Sequence, residues 1–151
     1  MIRNSQNSKE DMASFKESEY AEMVVSWLRA RDWEVYKEVG APGKSQRAID
    51  IYAIQGDADS PRRAVGVEVK TALTLRVMEQ AEYWKRYTDK TAIAVPEAAS
   101  SRSRSFAAKI CQEFGLGVLL VPEDPQDGPL APYLDARPKR TGRLETPDLR
   151  P

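Results

Sequence analysis

A single α/β domain, with a mixed β-sheet flanked by helices, is predicted by three features of this 151-residue sequence. Five short runs rich in β-branched residues read as strands, and three longer segments carry apolar residues at helical spacing. The first three strands follow one another through turn-forming segments, which favours antiparallel pairing. The later ones alternate with helices, which favours parallel crossovers. The expected order is helix, three strands, helix, strand, helix, strand.

Residues 1–13 are polar and aperiodic, and are expected to form a flexible lead-in. Ser14-Phe15-Lys16-Glu17 fits a capping box, so the first helix is expected to start there and run to about Arg31, with Tyr20, Met23, Val24, Trp27 and Leu28 as its apolar stripe. Alternation over 33–39 predicts a strand that stops at Gly40-Ala41-Pro42-Gly43. A second strand is expected over 47–54, with Ile49, Ile51 and Ala53 on one face and Ala48, Asp50, Tyr52 and Ile54 on the other. A third over 64–70 sets Val65, Val67 and Val69 against Gly66, Glu68 and Lys70. The stretch from Leu73 to about Thr88 lacks Gly and Pro and reads as a helix. A short strand at 91–95, a helix at 101–114 capped by Gly115, and a last strand at 116–121 complete the domain, taken as 14–121. Seven of the ten prolines lie at or beyond Pro122, so 122–151 reads as a Pro/Arg-rich tail that is expected to be flexible.

Composition narrows the chemistry. There is no histidine, which excludes Ser-His-Asp triads, histidine metal sites and histidine-based acid/base catalysis. Cys111 is the one cysteine, so neither a disulfide framework nor a sulfur-ligated zinc site is available, and its place on an apolar helix face suits a small core residue. No apolar run is long enough to span a bilayer and the first residues lack a signal-like apolar core, so a cytoplasmic protein is expected. The formal net charge is zero, against bulk electrostatic coating of nucleic acid. Any hydrolytic chemistry must therefore rest on carboxylates, lysine and a metal.

One constellation meets that requirement. Asp50 lies on the second expected strand, and Glu68 and Lys70 lie two apart on the third. If those strands are neighbours, two carboxylates and the backbone carbonyl of Val69 make a partial shell for Mg2+, which prefers oxygen ligands and keeps several waters. Lys70 would then orient or deprotonate an attacking water, or stabilise charge on the phosphorane. Taken singly, a Glu-x-Lys pair on a strand is more often a solvated face. The order, the spacing and the apolar flanks together favour the catalytic reading.

Ile49-Asp50 followed by Gly66-Val67-Glu68-Val69-Lys70 resembles the motif of the PD-(D/E)XK, restriction-endonuclease-like nuclease superfamily, over about residues 15–121 in element order. The resemblance implies a Mg2+-dependent nuclease, with Mn2+ able to substitute, that hydrolyses phosphodiester bonds of DNA. It also implies catalytic roles for Glu22 on the first helix, with Glu19 as a competitor, and for Gln80 on the helix after the motif lysine. Ile49 stands where such families often have proline, and Trp84 stands where the exonuclease branch has tyrosine. The chain holds no separate sequence-reading module, which points to a structure-guided endonuclease or the cleavage subunit of a larger system, and cutting of two strands to a homodimer. The alternative is a catalytically inactive nuclease fold serving as a nucleic-acid-binding or scaffold subunit.

Four basic residues are candidate phosphate contacts: Lys44 and Arg47 in the loop before the Asp50 strand, and Arg102 and Arg104 at a helix start. The run Gly40-Ala41-Pro42-Gly43-Lys44-Ser45 is not read as a phosphate loop, because Glu38 stands where that motif needs glycine and a strand is expected where it needs a helix.

Overall fold

A computed structural model describes residues 5–43, 46–56, 62–97, 101–124, 131–134, 147 and 149, with the backbone alone described at 5–15, 101–104 and 131–134. The elements are α1 (Ser5–Arg29), β1 (Glu34–Gly40), β2 (Ala48–Gln55), β3 (Arg63–Val69), α2 (Leu75–Trp84), β4 (Lys90–Pro96), α3 (Ser101–Phe114), β5 (Gly117–Val121) and β6 (Ala131–Leu134). The five expected strands and three helices are present, joined by one further strand.

The sheet order is β1-β2-β3-β4-β5-β6. Strands β1, β2 and β3 form an antiparallel meander, β3, β4 and β5 are parallel, and β6 pairs antiparallel with β5. This division follows the connections, since the short returns join antiparallel neighbours and α2 and α3 carry the parallel crossovers.

Helix α1 covers one face. Tyr20, Val24, Val25 and Leu28 pack on Ile51, Ala53, Val67, Val69, Ala94, Leu119 and Val121. On the other face, α2 and α3 bury Val77, Met78, Ala81, Ala107 and Cys111 against Ile93, Val95, Leu116 and Val118. A third cluster gathers Val39, Ile49, Tyr52, Ile54 and Ala64 around Trp84 and Tyr87, at the end of α2. Strands β3 to β5 are buried on both faces, which is why their sequence is a near-continuous run of Val, Ile, Leu and Ala rather than a clean alternation.

Three expectations are corrected. The first helix begins at Ser5, so Ser14 lies inside it and does not cap it; Gly and Pro are absent from 5–29 and nothing stops the helix from extending backwards. The second helix is shorter than expected at both ends, starting at Leu75 behind a Thr74 cap and closing at Trp84 rather than near Thr88. The Thr74 hydroxyl accepts the Val77 amide proton at 3.2 Å, satisfying one of the otherwise unpaired donors of the first turn. Within the segment read as a tail, residues 131–134 add β6 to the sheet edge, and Leu149 packs against the Trp84 cluster.

Gly66 of β3 shows how closely β2 and β3 approach the end of α2. A Cβ built there would lie 2.6 Å from Ile49 Cδ1 and 3.0 Å from the Thr88 methyl. Ile49 is fully buried, and the Thr88 hydroxyl is tied to the Trp84 carbonyl and to Thr91, so neither group has room to withdraw. Gly66→Ala is therefore expected to destabilise the domain by about 1–3 kcal/mol through overpacking, read as a lowered urea midpoint with unchanged slope. An unshifted midpoint would show that this contact relaxes freely.

Candidate active site

Asp50 reaches the site through a fault in the strand alternation. Register between β1 and β2 is continuous from Glu34↔Ile54 to Gly40↔Ala48, except that the Glu38–Asp50 pair drops out. Glu38 sits there with a left-handed φ of 53°, which is unusual for a residue with a Cβ. On either side of this point the faces change phase. Val35 packs beneath α1 and Tyr36 towards Trp84, but Lys37 and Glu38 both line a cleft with α1, and Val39 returns to the Trp84 side. In β2, Tyr52 and Ile49 share the Trp84 cluster although they are three residues apart. The expected placement of Ile49 with Ile51, and of Asp50 with Tyr52, is thus corrected. The slip turns Asp50 away from the apolar side and towards α1, as irregularities in ladders often re-aim a side chain.

The neighbouring ladder gives Asp50 its fixed position. Pairing of β2 with β3 ends at Ile51↔Val67, where the strands part. Into that gap the Asp50 carboxylate projects, and its Oδ2 accepts the Val69 amide proton at 2.7 Å. The carboxylate thus takes the place of the next ladder acceptor and leaves its other lone pairs available. Beyond Val69, the Lys70 amide donates to the Ala94 carbonyl at 3.0 Å, so β4 holds the far side of the motif.

Glu68 is 3% exposed and lies beside Asp50. Its Oε1 is buried without a hydrogen-bond partner. Burial raises the Glu68 carboxyl to about 8, helped by repulsion from Asp50 and by the proton the two carboxylates share, and opposed by the positive charge of Lys70. A buried carboxyl oxygen with no partner is costly, and a strongly shifted group so placed is a candidate catalytic or ion-binding position. Asp50 therefore lies beside Glu68, and Lys70 is near enough for its charge to act on that carboxyl.

The cleft above Asp50 has a volume of about 450 Å³ and is lined by Glu17, Ser18, Ala21, Glu22, Lys37, Glu38, Asp50 and Val69. Glu22 takes part in this lining, whereas Glu19 does not. The Lys37 ammonium pairs with Glu22 and holds its carboxyl below the usual range. Four acids against one lysine make the cleft a place for cations, and one from which a phosphate is repelled unless a cation intervenes. Glu17 and Glu38 escaped the sequence reading. Glu17 had been assigned to a cap, and Glu38 enters only through its reversed backbone.

Among the described residues no group of three or more Cys, Asp or Glu side chains forms a metal cage. The donor set here asks for less. Asp50 and Glu68 supply two carboxylates, Val69 lines the same cleft, and the unpartnered Glu68 oxygen is the kind of acceptor a divalent ion satisfies; a hard ion such as Mg2+ completes its shell with water. These residues fit such an ion.

Two of the other candidates lie apart from this cleft. Gln80 and Arg47 line a separate cavity with Gln46, Ala48 and Trp84, at the opposite face of β2. Lys44 lies outside the described residues, and Arg102 and Arg104 fall in the first turn of α3, where only the backbone is described. No family model matches the chain, and neither curated proteins nor solved structures provide a match.

The Glu68 environment has a consequence for stability. Its carboxyl is raised from 4.5 to about 8 in the folded chain, so between those values the native state holds a proton that the unfolded state has released. Stability from this group is complete below about 4.5 and is lost as pH rises through about 8. With no histidine in the chain, little else titrates in that window. In EDTA, wild type is expected to lose stability between pH 6 and pH 9 by urea denaturation, and Glu68→Gln to lose much less. Parallel curves for the two proteins would refute this account of the Glu68 environment.

Proposed function

We propose that this chain is a divalent-metal-dependent endonuclease of the PD-(D/E)XK type, hydrolysing phosphodiester bonds of DNA at the cleft lined by Asp50 and Val69, with Glu68 buried beside Asp50. One observation carries the reading: a carboxylate locked by the Val69 amide beside a buried carboxyl with an unpartnered oxygen. Asp50 and Glu68, with the Val69 carbonyl, would hold Mg2+. That ion, when bound, supplies a water of lowered pKa and a positive counter-charge for the phosphate.

The chain's own groups do the rest. Glu68 would have to give up its proton to hold the ion, and the repulsion this adds with Asp50 is what a divalent charge between them would offset. Lys70, already close enough to pull the Glu68 carboxyl down, places its positive charge where the pentavalent phosphorus gathers negative charge. Glu22, held by Lys37 at the cleft wall, is positioned to accept a hydrogen bond from water entering the site. The acidic lining makes binding of a bare phosphate unfavourable, so substrate and cation are expected to enter together.

Cleavage of linear, nicked, single-stranded and branched DNA, with and without Mg2+ or Mn2+, tests the proposal. Asp50→Asn can still accept the Val69 amide proton, so its fold should survive. Its activity is expected to fall by about 10²–10⁴-fold, as is that of Lys70→Ala. Metal-dependent cleavage left intact by both substitutions would remove the assignment. A chain with neither cleavage nor calorimetric Mn2+ binding would instead be an inactive nuclease fold serving as a binding or scaffold subunit.

A further inference from the structure

The acidic cleft leaves open what holds the substrate's phosphate. In a regular strand Lys37 and Glu38 would point to opposite faces. The left-handed Glu38 breaks that alternation, and both side chains line the cleft that contains Asp50. Lys37 pairs across the ladder with Ile51, the residue after Asp50, so its stem begins one step from that carboxylate. Among the described residues lining the cleft, Lys37 is the one basic side chain, set among Glu17, Glu22, Glu38 and Asp50. The motif lysine, Lys70, is not part of the lining.

The Lys37 ammonium donates to the Glu22 carboxylate, which joins β1 to α1 at the cleft wall. The two side chains are 50% and 60% exposed, so water screens the pair and it adds little to the stability of the fold. What the pair does is cover the one cation of the lining. Each member has a better partner in a loaded site. A divalent ion beside Asp50 carries twice the charge of an ammonium and attracts Glu22, directly or through one of the ion's waters. A phosphate oxygen next to that ion offers the released ammonium a charge-assisted hydrogen bond. Lysine suits such an exchange, because it is a compact charge on a flexible stem rather than a rigid fork.

We infer that Lys37 is the group that holds a nucleic-acid phosphate in the cleft, and that Glu22 keeps it covered until a cation is bound. One ion pair is exchanged for two: Glu22 passes to the cation as Lys37 passes to the phosphate, and no charge is left unpaired. Binding of either ligand favours the other, because each takes one member of the resting pair. The inference rests on the nuclease reading for the nature of the ligand and the place of the cation. It adds the residue that takes the phosphate and the residue that controls it, and the uncovering of Lys37 can be read without metal or cleavage.

Binding of a fluorescent single-stranded DNA oligonucleotide, titrated against salt in EDTA, separates the effect of the pair from that of charge alone. Glu22→Gln uncovers Lys37, and is expected to bind about threefold more tightly than wild type with a salt slope steeper by about 0.7, from one added single-strand phosphate contact. Glu17→Gln removes the same charge from the same cleft but leaves the pair intact, so its slope is expected to match wild type. Adding Lys37→Ala to Glu22→Gln should abolish the gain, and adding Lys37→Arg should keep it, which a merely structural role would not do. Glu22 and Lys37 are exposed, so these variants are expected to fold. Circular dichroism melts check this, and Lys37→Gln replaces any alanine variant that fails. An equal steepening from Glu17→Gln, a gain that survives loss of the lysine, or no binding by Glu22→Gln would overturn the inference. Metal-dependent cleavage measured in parallel keeps the two readings apart. Cleavage with lysine-independent binding would refute this inference and leave the nuclease reading in place; lysine-dependent binding without cleavage would do the reverse.

Discussion

The hydrogen bond from the Val69 amide to the Asp50 carboxylate is the constraint on which the rest of the site depends. Where β2 and β3 part, the buried Val69 amide needs an acceptor, and β2 no longer offers a backbone carbonyl. Asp50 meets that need. Satisfying a backbone donor with an ionisable side chain brings a negative charge into the wedge between two strands. Burial pushes the Glu68 carboxyl towards its neutral form, and the charge of Asp50 adds to that push. One local requirement of hydrogen bonding thus brings Asp50 beside Glu68.

The strand fault opposite Asp50 belongs to the same design. Glu38 adopts a backbone conformation that costs a residue with a Cβ something on the order of 1–3 kcal/mol. In return, both β1 and β2 change phase at one level of the sheet. Ile49 is freed to fill the core above Gly66, while Asp50 faces α1. Without the fault, a regular ladder would bury the carboxylate in the apolar cluster around Trp84, where no cation could approach it. Structural strain and polar placement are concentrated at one spot, while the valine and isoleucine strands on either side provide the stability.

Charge is divided between the two faces at this end of β2. The α1 side gathers Glu17, Glu22, Glu38 and Asp50, and the α2 side gathers Arg47 and Arg86 around Tyr83. A net charge of zero therefore conceals a local separation of acid and base.

The order of the three helices and the first five strands, and the apolar faces that form most of the core, were legible in the amino-acid sequence. They depend on periodicity and on short spacings along single strands, and those are properties of the chain itself. The start of α1 was not legible, because Ser14-x-x-Glu17 fits a cap and a helix interior equally well and only the continuing backbone distinguishes them. Nor was β6, whose four residues have a partner only once β5 presents an open edge. The direction of Asp50, the entry of Glu17 and Glu38 into the cleft, and the separation of Gln80 from it were decided by tertiary structure. Each depends on a phase slip and on how strands splay, and these arise from packing between segments distant in sequence, which no local pattern records.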